Sequence, residues 1–219
     1  MPHITLVRHG QANTGARDED GYDKLSELGH QQAAWLGAHM EATGDRFQRV
    51  YTGTLRRHVE TAASMGAARH AEVVEDERLN ELAYFSMAQL MEEQHGLPVP
   101  TEREAFVRHL PQIFGAWERG EIEGVPETFA QFDARVREVM AEIAAGQGRA
   151  LVVTSGGLIG AVLRHTLSLD VGGWSQMCLA IMNTSVHRWQ MVLDRPLLTQ
   201  FNNVAHLEQP DRQYAQTHL

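Results

Sequence analysis

The residues best suited to chemistry in this sequence are an arginine, a histidine and a glycine that directly follow an apolar run. The run, Ile4 to Val7, favours a short buried β-strand that ends at Arg8, His9 and Gly10. Open α/β sheets bind ligands at the C-terminal ends of their strands. There Arg8 would offer two donors to an anion, His9 would act as nucleophile or base, and Gly10 would let the backbone turn closely. The pattern predicts a phosphoryl site; the alternative is a strand closed by surface polar residues.

A second basic group follows a second predicted strand, Arg49 to Thr52, which Gly53 ends. The helix predicted after this glycine would present free backbone N–H groups and the positive end of its dipole. Arg57, in the first turn of that helix, would add two donors beside them. In the alternative, Arg56 and Arg57 pair with Glu60 on a solvated helix face.

The same order of strand, glycine turn and helix recurs later in the chain. The predicted strand Ala150 to Thr154 leads into Ser155, Gly156 and Gly157, and an apolar helix follows. Backbone N–H groups at the start of a helix form a natural cradle for an anion. This turn is therefore a third candidate contribution to an anion site.

Five stretches of the chain resemble, in order, the motifs of the histidine phosphatase superfamily, the phosphoglycerate mutase-like proteins. Together they span nearly the whole chain, so the resemblance implies one domain over residues 1–219. It also implies a three-layer α/β/α fold with a mostly parallel central sheet. The stretches are L-V-R-H-G-Q (6–11), L-S-E-L-G-H-Q-Q-A (25–33), Y-T-G-T-L-R-R-H-V-E-T-A (51–62), L-N-E-L-A-Y-F (79–85) and V-V-T-S-G-G (152–157).

The resemblance assigns these groups parts in phosphoryl transfer. His9 would attack phosphorus and become a transient phosphohistidine, while Arg8 and Arg57 neutralise the phosphoryl oxygens. Glu81 matches the family's proton donor to the leaving oxygen. Apolar neighbours would help it hold a proton, and an ordinary exposed glutamate is the alternative. Because guanidinium groups carry the charge, the mechanism implies no cofactor and no metal.

The chain departs from the family at Ser155, where the superfamily has a second histidine. A serine hydroxyl donates a neutral hydrogen bond with a shorter reach than an imidazole. Losing one such donor costs on the order of 3 kcal/mol in the transition state, or ~100-fold in rate. His58 is a candidate replacement because it follows Arg57 where the family has a small residue; the alternative is a helix-surface histidine. Three outcomes are then open: the enzyme turns over slowly, another imidazole takes the place of the missing histidine, or the site only binds phosphate.

Residues near the nucleophile are further candidates for contact with the substrate. Gln11 and Asn13 follow His9 on the same turn, and the sequence leaves open whether they touch the ligand. A polar loop over residues 14–24 and a turn over residues 193–196 are also predicted. The predicted substrate-binding residues are Gly10, Gln11, Asn13, His58 and Gly156.

Residues 86–127 have the character of a helical cap inserted into the domain. The patterns Ser86-x-x-Gln89 and Thr101-x-x-Glu104 predict capping boxes that open two helices. In the second helix, an apolar stripe at helical spacing predicts packing against the main sheet. The resemblance implies that this insertion roofs the site and selects the substrate. The stripe consists of Phe106, Leu110, Ile113, Phe114 and Trp117.

The bulk composition narrows the partners and the compartment. A formal net charge of -9 disfavours nucleic acid and anionic membranes, so a local cluster must attract an anionic substrate. The single cysteine, Cys178, excludes an internal disulfide and suits a reducing cytoplasm. No window approaches ~18 uninterrupted apolar residues. The oligomeric state, including a homodimer, stays open.

These observations predict a cytoplasmic phosphoric monoester hydrolase that acts on a small phosphorylated metabolite or a phosphoprotein. A mutase is disfavoured because nothing in the sequence indicates a closed pocket that retains a bisphosphate. The alternative is a catalytically weak or inactive pseudophosphatase that binds phosphate through Arg8 and Arg57. A phosphoryl group on His9 separates the two, since turnover requires it and binding does not. A third class, an interaction protein that keeps only the fold, would have no phosphate affinity.

Overall fold

A computed structural model describes residues 3–13, 15–16, 18–193 and 195–218. Within these ranges, strands and helices alternate along the chain, as in other α/β proteins. The β-strands are β1 (His3–Arg8), β2 (Arg49–Thr52), β3 (Val73–Glu75), β4 (Arg149–Thr154), β5 (Val186–Val192) and β6 (Arg195–Asn203). The α-helices are α1 (Glu19–Tyr22), α2 (Glu27–Ala42), α3 (Arg56–Ser64), α4 (Tyr84–His95), α5 (Arg103–Glu118), α6 (Phe129–Ala145), α7 (Gly156–Leu167) and α8 (Val171–Ala180).

The strands form one sheet in the order β3-β2-β4-β1-β5-β6. The first four of these strands pair in parallel, and β5 and β6 add an antiparallel edge. Each parallel connection crosses over through helices, as parallel pairing requires. The predicted α/β fold with a mostly parallel central sheet is therefore confirmed.

Side chains alternate between the two faces of the central strands, and helices cover both faces. Ile4 and Leu6 of β1 belong to an apolar cluster with residues from α4 to α8. Val7 packs in the opposite cluster, with Leu36 of α2 and Ala62 of α3. Burial on both faces explains why the strands read as near-continuous apolar runs. None of the helices within the described ranges is long and apolar enough to span a bilayer.

Residues 86–127, the predicted cap insertion, contain most of α4 and all of α5, but neither predicted capping box forms. Ser86 lies inside α4, where its backbone N–H donates to the carboxylate of Glu19 at 3.0 Å. The N-cap of α5 is Glu102, and no side chain bonds to the backbone there. The prediction is wrong because a local pattern competes with distant contacts: the partner of Ser86 lies 67 positions earlier in the chain.

Parts of two predicted turns lie outside the described residues. These are Thr14 and Arg17 of the loop over residues 14–24, and Asp194 of the turn over residues 193–196. The described part of the first loop contains the one-turn helix α1. The last two residues predicted for the second turn already belong to β6.

His187 on β5 is a buried, neutral histidine. The backbone N–H of Asn202 donates to Nδ1 at 3.2 Å, so the proton of the ring is on Nε2, 2.9 Å from Oγ of Ser185. Burial, with a smaller effect from Arg8, lowers the pKa of His187 to about 3. The folded protein therefore holds this ring uncharged, whereas the unfolded chain would protonate it below its ordinary pKa of 6.5.

Acid is expected to destabilise the fold through His187. The pKa of His187 is depressed in the folded state. Its contribution to the free energy of unfolding is therefore complete above about pH 6.5 and is lost as the pH falls toward about 3. At about pH 4.5 the loss is about 3 kcal/mol. Urea unfolding at about pH 7.5 and about pH 4.5 measures it: His187→Gln should lose less stability over this interval than the parent. His95→Gln, at an exposed histidine, is the matched control and should keep the parental loss. Equal losses in both variants would contradict the assignment.

Candidate active site

The candidate residues meet at one edge of the sheet because three parallel strands end there. Arg8 on β1 pairs with Thr154 on β4, and Thr52 on β2 lies opposite Val153. The backbone N–H of His9 donates to the carbonyl oxygen of Thr154 at 2.8 Å. The helices α3 and α7 begin just after β2 and β4, so their N-termini face the same edge.

Gly10 is required where the chain leaves β1. A Cβ atom at this position would meet the carbonyl oxygen of Gly29 on α2 at 2.4 Å, which is too close for any side chain. The backbone N–H of Gly10 donates to Oγ1 of Thr61 on α3 at 3.0 Å. The turn after His9 is thus pressed between two helices, which holds the imidazole in one place.

His9 lines a cavity as a neutral imidazole whose unprotonated nitrogen is Nε2. Its Nδ1 lies 2.7 Å from the carbonyl oxygen of Gly10, which only accepts, so Nδ1 carries the proton. The side chain is 2% exposed. Burial, followed by the charges of Arg57 and Arg8 and the nearby ring of His58, lowers the pKa of His9 well below 6.5. A neutral ring with a lone pair on Nε2 is the form that attacks phosphorus.

Arg57 turns inward from the start of α3. Its Nη1 donates to Oδ1 of Asp23 at 2.9 Å, and its backbone N–H donates to the same oxygen at 3.2 Å. Its guanidinium carbon lies 5.2 Å from the centre of the Tyr22 ring. Arg56 instead pairs with Glu60 at 2.6 Å and is exposed. The alternative of a solvated ion pair therefore holds for Arg56 and not for Arg57.

Arg8 is anchored by backbone carbonyls. Its Nη1 donates to the carbonyl oxygen of Ile181 and, at 2.8 Å, to that of His218. The Nε atoms of Arg8 and Arg57 are both buried without a hydrogen-bond partner among the described residues. Both side chains line the cavity, and an anion bound there would be neutralised by their two positive charges.

Glu81 is held at the start of α7. Its Oε2 accepts from the backbone N–H of Gly157 at 3.0 Å, and its Oε1 accepts from that of Leu82 at 3.0 Å. A Cβ atom at position 157 would lie 2.3 Å from Oε1, so only glycine lets the carboxyl group come this close. The half-buried carboxyl group lines the same cavity as His9, as a proton donor to a leaving group must.

Ser155 and His58 form a buried pair beside His9. Nε2 of His58 lies 2.6 Å from Oγ of Ser155, and neither residue is exposed to solvent. The ring centres of His58 and His9 are 5.7 Å apart. His58 is therefore in the interior next to Ser155, and the alternative of a helix-surface histidine is wrong.

The hydrogen-bond partners of His58 define its tautomer. Its Nδ1 is buried, and no described atom bonds to it. Because a buried N–H without an acceptor is rarer than a buried acceptor without a donor, Nδ1 is bare and Nε2–H donates to Ser155. Burial and the charge of Arg57 lower the pKa of His58 well below 6.5, so the ring stays neutral. Gly53 permits this position, since a Cβ atom there would lie 2.2 Å from Nδ1.

The cavity beside His9 has a volume of about 440 Å³, which suits a small molecule. Arg8, Arg57, Glu81 and Asn183 line its polar end. Its other walls are largely apolar and come from α4, α5 and the segment between them. Within the described ranges, no cluster of three or more His, Cys, Asp or Glu side chains could hold a metal ion.

The predicted site residues divide between the lining of this cavity and the layer around it. Gln11 lines it, and its Oε1 accepts from Oγ of Ser26 at 2.8 Å. Asn13 donates instead to the carbonyl oxygen of Gly21 at 3.0 Å and shapes the loop. The roles of all these residues stay predictions. The lining includes Arg8, His9, Gln11, Arg57, Glu81 and Gly156, and it does not include Gly10, Asn13, His58 or Ser155.

Sequence reasoning missed two residues that hold the site together. Asp23 orients Arg57, and Nδ2 of Asn183 donates to the carbonyl oxygen of His9 at 3.2 Å. Asp23 is one acid among several in a polar loop, and Asn183 follows α8 without a motif around it. No local signal reveals either residue, because the partner of each is distant along the chain.

The fold and the residues at this edge define a class of protein. A sequence profile of the histidine phosphatase superfamily, branch 1, matches residues 4–204. The chain therefore belongs to the histidine phosphatase superfamily, as its motifs predict.

Individual relatives are similar to the chain in sequence or in fold. A 2,3-bisphosphoglycerate-dependent phosphoglycerate mutase from Bartonella tribocorum is 31% identical over 102 residues, 42% of this chain and about half (47%) of that protein. A phosphoserine phosphatase from Entamoeba histolytica has the same fold, with 19% identity, 94% of this chain and 100% of that chain covered, and a TM-score of 0.70. A mycobacterial glucosyl-3-phosphoglycerate phosphatase in complex with VO3 is 26% identical, with 91% and 98% covered and a TM-score of 0.63.

Proposed function

We propose that this protein is a cytoplasmic phosphatase that hydrolyses small phosphorylated metabolites through a phosphohistidine at His9. The observation that carries the proposal is the neutral His9, with Nε2 unprotonated, in one cavity with Arg8 and Arg57. Similarity to phosphatases of phosphoserine and glucosyl-3-phosphoglycerate supports a small substrate, as does the size of the cavity. A single cysteine supports the cytoplasm as the compartment.

The proposed reaction has two steps at phosphorus. In the first, the lone pair on Nε2 of His9 forms a P–N bond while the P–O bond to the alcohol breaks, and Glu81 gives its proton to the departing oxygen. In the second, water attacks phosphorus, Glu81 takes a proton from that water, and the P–N bond breaks to release phosphate. Arg8 and Arg57 neutralise the phosphoryl oxygens throughout, which is the charge stabilisation that both steps need.

We also propose that Ser155 stands where the superfamily has its second histidine, and that His58 fills the space beside it. The buried hydrogen bond between the two supports this, as does the 5.7 Å separation of the His58 and His9 rings. In this arrangement Nε2–H of His58 donates to Oγ of Ser155, so His58 positions the serine and does not itself contact the substrate. Position 155 then offers a serine hydroxyl where the superfamily has its second imidazole.

A second candidate function is binding without turnover. The burial of both Ser155 and His58 favours it, because neither side chain lines the cavity, where a hydrogen-bond donor to the phosphoryl oxygens would have to lie. Arg8 and Arg57 alone would suffice to hold a phosphate group. This pseudophosphatase would bind phosphate and leave His9 unmodified.

The test is a search for a phosphoryl group on His9. The protein is mixed with an aryl phosphate carrying a radiolabelled phosphoryl group, and the reaction is stopped in denaturing base after short times. We expect a base-stable, acid-labile label in the peptide that contains His9, together with an initial burst of the aryl alcohol. Saturable phosphate binding with neither label nor alcohol would instead establish the binding module.

A further inference from the structure

One part of the cavity that His9 lines has an apolar wall. Three of its residues come from one face of α5, and the others come from the start of α4 and the linker that follows α4. Edge-to-face contacts hold its aromatic rings, with Tyr84 5.7 Å from Phe85 and 5.2 Å from Phe106. The apolar wall consists of Tyr84, Phe85, Val99, Phe106, Leu110 and Phe114.

The apolar wall shares residues with the apolar stripe that the sequence predicts on α5. The stripe on α5 does pack into the core, through Ile113, Phe114 and Trp117. Its N-terminal members, Phe106 and Leu110, face the cavity as well. Phe106 stays only partly buried, so a ligand has apolar surface left to cover.

Two of the polar groups near this wall have partners within the protein. The hydroxyl of Tyr84 lies 3.0 Å from Nδ1 of His109, and the carboxylate of Glu19 accepts from the backbone of Ser86. Arg103, at the exposed mouth, lies 2.5 Å from Nε2 of His218. Along the wall itself a second polar or charged group on a substrate would meet apolar side chains, and Arg103 is the neighbouring group that still has free donors.

We propose, on the basis of the proposed function, that the alcohol part of the substrate is apolar. It would be an alkyl or aryl group that lies against the apolar wall while the phosphoryl group lies at His9. Phe106 is then a specificity-determining residue. A carboxylate in place of that group would be desolvated against aromatic rings, and the nearby lining holds two carboxylates, Glu19 and Glu102, against the one guanidinium group of Arg103. Substrates with a second negative charge are therefore disfavoured.

The test measures binding of alkylphosphonates, whose P–C bond no phosphatase hydrolyses, so it needs no turnover. Calorimetry with the methyl to hexyl members should show the affinity rising about fourfold for each added CH₂ until the cavity is filled. The phosphonate head is the same in every member, so the slope reports the apolar wall alone. Isopentylphosphonate should also bind at least about tenfold more tightly than phosphonopropanoate, which has a carboxylate in place of the branched end.

Phe106→Ala should weaken hexylphosphonate by about tenfold and leave methylphosphonate unchanged, because the variant removes surface that only the longer chain reaches. Phe106→Leu should restore most of the loss. Val107→Ala is the matched control, since Val107 is the next residue on α5 and is exposed. It should keep the parental slope.

Four results would overturn the inference. They are a flat series, tighter binding of phosphonopropanoate than of isopentylphosphonate, equal losses in Phe106→Ala and Val107→Ala, and no binding of any member. The label on His9 is scored separately. Binding of the series without a label on His9 would support this inference and contradict the proposed hydrolase activity. A label on His9 without binding of the series would support the hydrolase activity and contradict this inference.

Discussion

Replacing His9 with alanine is expected to reduce phosphomonoester turnover by on the order of 10⁴-fold or more, because the variant has no atom that can form the P–N bond. The neighbouring carbonyl, carboxylate and guanidinium groups cannot take over, since none combines a neutral lone pair with a position beside both arginines. Initial rates with an aryl phosphate measure the effect. Phosphate affinity should stay within about one order of magnitude, because Arg8 and Arg57 remain.

Two controls make the result of His9→Ala specific. His95→Ala removes an exposed histidine and should retain full turnover. Retained phosphate binding shows that the His9 variant is folded and that its cation pair is intact. Turnover that survives His9→Ala would contradict the phosphohistidine route and would point to direct attack by water between the two arginines.

The edge of the sheet could be predicted because contiguous residues encode it. Each apolar run that ends in a basic or glycine-rich turn is a parallel strand whose C-terminus lies at the ligand edge. Arg8 therefore ends β1 and is followed by His9 and Gly10, and Ser155 and Gly156 follow β4, as the sequence indicates. The rule depends only on residues that are neighbours along the chain, and those can be read directly from the sequence.

The choice between Arg56 and Arg57 could not be predicted in the same way. The two are neighbours of identical type, and local charge pairing with Glu60 serves either one. The decision comes from Asp23, which receives both a side-chain and a backbone donor of Arg57. Asp23 lies 34 positions earlier in the chain, so its contact depends on how the loop before α2 folds over α3. The failed capping box at Ser86 has the same cause, a distant carboxylate.

The pairing of His58 with Ser155 lies between these two cases. In the proposed assignment each residue departs from the family pattern at its own position, a departure that the resemblance alone indicates. Their contact spans 97 positions and exists because β2 and β4 are neighbours in the sheet. It also needs Gly53, whose missing side chain leaves the space that Nδ1 of His58 approaches.

Exchanging the two residues, as His58→Ala with Ser155→His, is expected to raise kcat/KM for an aryl phosphate by about 100-fold. The exchange places an imidazole after the end of β4, where the proposed assignment puts the superfamily's second histidine, and it gives position 58 the small residue that the resemblance indicates there. A preorganised donor of this kind contributes on the order of 3 kcal/mol to the transition state.

Ser155→His alone is expected to fail to reach this gain. Oγ of Ser155 is already 2.6 Å from Nε2 of His58 in a fully buried setting, so a larger side chain meets the imidazole directly. Such overpacking costs about 1–3 kcal/mol of stability, which thermal unfolding measures. His58→Ala alone leaves a buried Ser155 without its donor and a cavity beside His9, so it should lower both stability and turnover.

The parent, the two single variants and the exchange form a double-mutant cycle. The change in kcat/KM of the exchange, as a free energy, should exceed the sum of the changes in the two single variants. The coupling follows from geometry: two imidazoles compete for one buried space, and the loss at one position is recovered only by the change at the other. If Ser155→His alone gives the full gain with His58 in place, the two positions are independent, and His58 is a buried structural histidine. If the exchange folds and gives no gain, the missing donor at position 155 is not what limits the rate.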